Sequence, residues 1–276
     1  MSTKRVLELH RYQWKLVLVI FLFVSVASLK AQENASETLK EANNPLADMT
    51  ALNFHNYYIP KLSDAPDDAY LNTTWIRFAK PFSDGKLLLR ISMPINTIGI
   101  PDRFGGISST SGLGDINAFL SYNFVSKPNK TMGIGPLVAA PTASETVLGT
   151  GKWQAGFAFV AFIANSPTFQ FGGLITWQAS FACDSDREDT NFGAIQPFYF
   201  WQLGKGTYLR GAPIWVFDFA NETFHVPFAL GIGKVVKVER TVFNLFIEPQ
   251  YSILTKGTQP QFQLFTGINV QFLKKN

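Results

Sequence analysis

The chain is short of the residues that mark most soluble and secreted designs. Its single cysteine, Cys183, excludes a small domain stapled by internal disulfides. Charged residues make up 16 % of the 276 positions, against about 25 % in an ordinary soluble domain. After residue 31 no apolar run approaches the ~20 residues that a membrane-crossing helix needs. Positive charge is also scarce there. Residues 1–31 carry five of the 24 basic residues and one of the 20 acidic ones, which leaves 19 of each. The pI near 9.1 therefore belongs mostly to the first segment. The remainder has no electrostatic footprint for nucleic acid, so no nucleic-acid partner is expected. Phenylalanine is abundant instead, at 26 residues.

The first segment reads as a secretory signal peptide. Lys4, Arg5, Arg11 and Lys15 precede LVLVIFLFVSVA (16–27), and small residues follow. As a helix those twelve residues would span only ~18 Å, too short for a ~30 Å hydrocarbon core. Cleavage is expected after Ala27 or Ala31. Residues 32–50, QENASETLKEANNPLADMT, are polar and do not alternate, so they read as a flexible arm or a small plug.

After residue 70 the dominant pattern has period two. Phe224, Val226, Phe228, Leu230 and Ile232 alternate with His225, Pro227, Ala229, Gly231 and Gly233, which no helical stripe can do. The same holds from Ile116 to Phe124, from Phe169 to Trp177 and from Phe262 to Phe272. Strands are expected near 51–59, 70–80, 86–94, 115–125, 131–140, 152–164, 167–178, 190–201, 207–218, 223–234, 241–253 and 261–273. Most are about ten residues long, the length that crosses a bilayer when tilted. The links alternate. PFSDGK, SKPNK, NSP, QLGKG and VKVER are short, whereas 96–114, 141–151 and 182–189 are long, although ANET (220–223) in the second set is short. That alternation describes a transmembrane antiparallel up-and-down β-barrel over 51–276, with about 12 strands (range 10–12) and both ends periplasmic. A soluble β-sandwich would also alternate, but here large residues are spread over every strand. Tyr122, Trp177, Trp201 and Tyr251 stand where interfacial aromatic girdles belong. The expected surroundings are outer-membrane lipids, reached through the barrel assembly machinery.

The candidate site is the lumen. Alternation turns Arg77, Arg90, Asp115, Arg210 and Glu248 inward, because on the lipid face such charges would cost ~2–4 kcal/mol at mid-depth. Phe119, Phe198 and Phe265 turn inward too, with Phe162 and Phe200. A purely aqueous pore would not need these rings, whereas a conduit for small apolar molecules carrying one polar group would. The charges could equally pair and brace the wall.

Other chemistry finds little support. His55 and His225 are the only histidines after residue 31, and neither sits in a Ser–His grouping in sequence, so an embedded lipid-modifying enzyme is the more distant reading. FGGISSTSGLGD (104–115) and LGTGKW lack the Gly-Lys-Ser/Thr ending of a phosphate cradle. Asp184, Asp186 and Glu188 begin like a calcium loop, but Asp189 stands where its glycine belongs. No cofactor, metal or catalytic residue is expected.

GLGDINAFLSYNF (core 113–124), GIGPLVAAPTASETVLGTGKWQAGFAFVAF (133–162) and LFIEPQYSI (245–253) resemble a family of outer-membrane barrels named for the meta-pathway of phenol degradation. The resemblance covers about residues 70–272 and implies a channel or transporter for aromatic or other apolar compounds. A general small-solute porin is the nearest alternative. Gly267, Val270 and Phe272 in the last strand resemble the assembly signal of such barrels, with Phe265 where a polar residue is usual.

Overall fold

The computed structural model describes residues 41–103, 105–183 and 186–273. The expected signal peptide and residues 32–40 of the arm lie outside the described residues. Fifteen strand segments follow: β1 (Thr50–Leu62), β2 (Tyr70–Phe82), β3 (Leu87–Pro101), β4 (Ile107–Leu113), β5 (Ile116–Lys127), β6 (Lys130–Ala140), β7 (Lys152–Ile163), β8 (Phe169–Cys183), β9 (Asn191–Gly204), β10 (Thr207–Gly211), β11 (Trp215–Asp218), β12 (Thr223–Ala229), β13 (Gly231–Val238), β14 (Thr241–Lys256) and β15 (Pro260–Phe272).

They make twelve crossings, because three crossings are built in two pieces. β4 and β5 pair in turn with β3, β10 and β11 with β9, and β12 and β13 with β14. One break has a plain cause. Pro213, between β10 and β11, has no N–H to give the ladder. Every neighbouring pair is antiparallel, and β15 pairs with both β14 and β1, so the barrel closes and leaves no edge. Phe272 of the last strand stands opposite both Thr50 and Thr241 on that seam.

The alternation is realised as two faces. Phe54, Phe157, Phe171, Phe228 and Ile247 are exposed on the outside, while Leu88, Phe119, Phe162, Phe198 and Phe265 are buried inside. Tyr122 and Trp201 lie outward near the short-turn end, and Tyr58, Trp177 and Tyr251 nearer the long-loop end. One expectation needs correction. The link at 96–114 is mostly a hairpin, since β3 runs to Pro101 and pairs with β4 through Ile95↔Leu113 to Pro101↔Ile107. The β4 arm, ISSTSGL, is Ser- and Thr-rich and carries no alternating apolar face, and in the β3 arm Ile98 and Ile100 fall out of step with Ile91, Met93 and Ile95, which hid the strands. Likewise the link after β8 begins only beyond Cys183.

A twelve-stranded wall is wider than the eight-stranded barrel that side chains alone can fill. Here residues 41–49 help to fill it. They lie inside the short-turn end, where Asn244 Nδ2 donates to the Ala42 carbonyl (3.2 Å) and to Asn43 Oδ1 (3.0 Å). Gln271 Nε2 also donates to the Ala42 carbonyl (3.0 Å), and Asn44 donates to Thr131 Oγ1 (3.3 Å). Leu46 packs on Leu88 and Val160, and Ala42 joins Phe162, Phe198, Phe200, Tyr208, Val235 and Val242.

The two ends of the barrel predict opposite accessibility. In a Cys183→Ser background, Asp67→Cys in the β1–β2 link should react with a membrane-impermeant maleimide on intact cells. Asn129→Cys in the β5–β6 turn should react only after the outer membrane is opened. The reverse pattern would invert the orientation.

Candidate lumen site

Above residues 41–49 the lumen keeps a cavity of about 340 Å³. Arg77 and Arg90 from β2 and β3, Phe119 from β5, Phe198 from β9, Arg210 from β10 and Phe265 from β15 all line it, as their alternation predicts. His55, Tyr57, Trp75 and Phe246 line it as well. Parity alone would have found two of them, since Trp75 is two residues from Arg77 and Phe246 two from Glu248. His55 and Tyr57 sit in β1, whose sequence alternates least clearly.

Glu248 has no exposed surface and lies behind Arg210. It collects three donors: Arg210 Nε at 2.6 Å, the Ala212 N–H at 3.0 Å and Gln250 Nε2 at 2.6 Å. Ala212 directly precedes Pro213, so its amide falls where the β10–β11 ladder is interrupted, and the carboxylate takes the place of a strand partner. Gln250 in turn accepts from Gln263 at 2.5 Å. Rings surround the paired guanidinium. Its carbon is 3.6 Å from the centre of Phe246 and 5.4 Å from that of Phe265. Tyr57 stacks on Phe265 with centroids 4.1 Å apart and planes 6° off parallel.

His55 is held at both nitrogens. Arg77 Nη1 lies 2.6 Å from Nδ1, and Asn269 Oδ1 lies 2.7 Å from Nε2. A guanidinium can only donate, so Nδ1 accepts and Nε2 carries the proton. His225 does have a hydroxyl nearby, one that sequence order hides. Ser252 on the neighbouring strand β14 is 2.7 Å from its Nε2. Ser252 Oγ donates its proton to the Pro260 carbonyl, so toward Ser252 the histidine is the donor and not a base.

Asp115 is not part of the lumen cavity. It lies in the gap between β4 and β5, where strand parity no longer dictates direction, and it lines a separate cleft among the long links. Its carboxylate accepts from the amides of Ala143 (3.2 Å) and Thr150 (2.6 Å) and from the Thr150 hydroxyl (2.8 Å). Arg187 clamps the same link through the carbonyls of Thr146, Gly149 and Thr150. A Cβ at Gly149 would stand 2.6 Å from Asp115 Oδ1 and 2.3 Å from Ala143 Cβ, so glycine alone fits. Asp189, beyond β8, is also tied down. Asp189 receives Lys152 Nζ at 3.1 Å and the Ser180 hydroxyl, and the lysine contact holds its carboxyl below the usual range. Among the described residues no three metal-binding side chains come together.

Replacing Glu248 by alanine would strand Arg210 as a buried unpaired charge and leave the Ala212 amide without a partner. The expected loss is about 3–5 kcal/mol, read as a lower urea midpoint for the barrel refolded in detergent. Arg210→Met with Glu248→Leu should cost less than the single change.

No family model matches the chain, and no curated protein matches it. Among solved structures it is similar to an outer-membrane channel from Pseudomonas putida F1, with a TM-score of 0.60 and 14 % identity, over 81 % of this chain and 94 % of that one. It is also similar to the NanC porin, with a TM-score of 0.51 and 10 % identity, over 81 % of this chain and all of the other. At such identities the likeness is one of fold, and the fold is that of outer-membrane channels and porins.

Proposed function

We propose that this chain is a bacterial outer-membrane channel for the passive uptake of small apolar or aromatic compounds. The observation that carries the reading is the filling of the bore. Residues 41–49 and inward rings occupy a lumen that a general porin would leave to water, and what remains is a cavity with a mixed wall, in which Phe119, Phe198, Phe246, Phe265, Tyr57 and Trp75 stand among arginine, asparagine and glutamine side chains. A cavity of this size falls at the small end of ligand sites. A phenyl-sized solute resting there would recover about 1.5–3 kcal/mol, as a buried Phe side chain does. A sugar would recover little and would lose hydrogen bonds to water. The resemblance to the phenol-degradation barrels and the channel fold support the same class. Passage to the periplasm requires residues 41–49 to shift away from the wall that holds them.

Cells carrying the barrel should take up toluene- or phenol-like compounds faster than cells without it, with little change for a sugar of similar size. Phe198→Ser with Phe265→Ser should erase the preference while the barrel remains heat-modifiable on gels. Strong conduction of ions and sugars without aromatic preference would replace this reading by a general porin.

A further inference from the structure

Three arginines face the cavity, and among the described residues only one has a carboxylate. Arg210 is matched by Glu248. Among the described residues neither Arg77 nor Arg90 lies within ion-pair distance of an acid. The two are neighbours by register. Arg77 stands opposite Ser92 and Arg90 opposite Ala79 in the β2–β3 ladder, so they are diagonal partners on the inward face. Arg77 is also fixed in direction, with Nη1 tied to His55 and the guanidinium carbon 4.6 Å from the centre of the Trp75 ring. Neither contact supplies negative charge. Two neighbouring cations in a chamber with a mixed polar and aromatic wall repel each other and have lost part of their hydration, so an oxyanion beside them is the favourable occupant. The guanidinium fork suits a carboxylate, which it can meet with two parallel hydrogen bonds. A ring lies directly beside the pair, because Phe119 is the β5 residue opposite Arg90.

We infer that Arg77 and Arg90 form an anion subsite that receives the carboxylate of a small aromatic acid, with the ring of that acid against Phe119 and Trp75. The inference rests on the conduit reading and narrows its cargo. Charge draws the acid in, and apolar contact distinguishes it from a bare anion. Occupancy must stay weak enough for release, as in any conducting site.

The test uses vesicles containing the whole mature chain at pH 8 and three labelled probes. Benzoate has the ring and the charge, benzamide the ring alone, and acetate the charge alone. Wild type should pass benzoate fastest. Arg77→Gln with Arg90→Gln should slow benzoate about tenfold and leave benzamide unchanged, whereas the paired Lys substitutions should keep most of the benzoate flux. The wild-type comparison needs no variant, so it stands even if the Gln pair fails to assemble. Equal benzoate and benzamide flux, both above acetate, would overturn the subsite and leave the apolar conduit intact. Acetate as fast as benzoate would mark a plain anion pore and overturn the ring contact. No flux above empty vesicles for any probe would sink the conduit itself, and the subsite with it.

Discussion

The structure depends on one constraint. In hydrocarbon a backbone N–H or C=O has no water to fall back on, so each must find its partner within the chain. Pairing β15 with β1 meets that condition all the way round and fixes much else. It keeps both described ends at the short-turn side and makes the strand count even. It also commits each side chain to lipid or lumen by parity. The exceptions show the same rule. Where Pro213 interrupts a crossing, a side chain takes over, and Glu248 serves the Ala212 amide that the ladder leaves behind.

Closure with twelve crossings creates a second problem, which is a bore too wide for ordinary side chains. This chain answers with bulk. Phe162, Phe198 and Phe200 cluster around Tyr208, the Phe246–Phe265–Tyr57 group surrounds Arg210, and the segment before β1 turns back inside the wall.

Much of the barrel was legible because a lipid-facing strand must repeat at period two, and that repeat survives in Phe224–Gly233 and Phe262–Phe272 without any partner in view. The inward sides of Arg77, Arg90, Phe119, Phe198, Arg210 and Phe265 followed from the same parity. What parity could not reach was missed for physical reasons. In the β3–β4 hairpin the β4 arm is polar, and the isoleucines of the β3 arm break step at Ile98, so no continuous alternation marks it. Asp115 sits where a strand is broken, and its partners lie 28 and 35 residues away on another link. The neighbour of His225 is on the next strand, 27 residues along the chain, a proximity that register alone creates. Residues 41–49 were legible only as part of a polar arm or small plug, because a segment without a period does not show which side chains it packs against.

Residues 41–49 and the inward rings narrow this lumen to a cavity of about 340 Å³. Single-channel recording in planar bilayers tests that narrowing directly. The intact chain should show small, infrequent openings, and a chain lacking residues 32–48 should conduct far more. A large steady conductance in the intact chain, unchanged when those residues are removed, would mean that the bore is open.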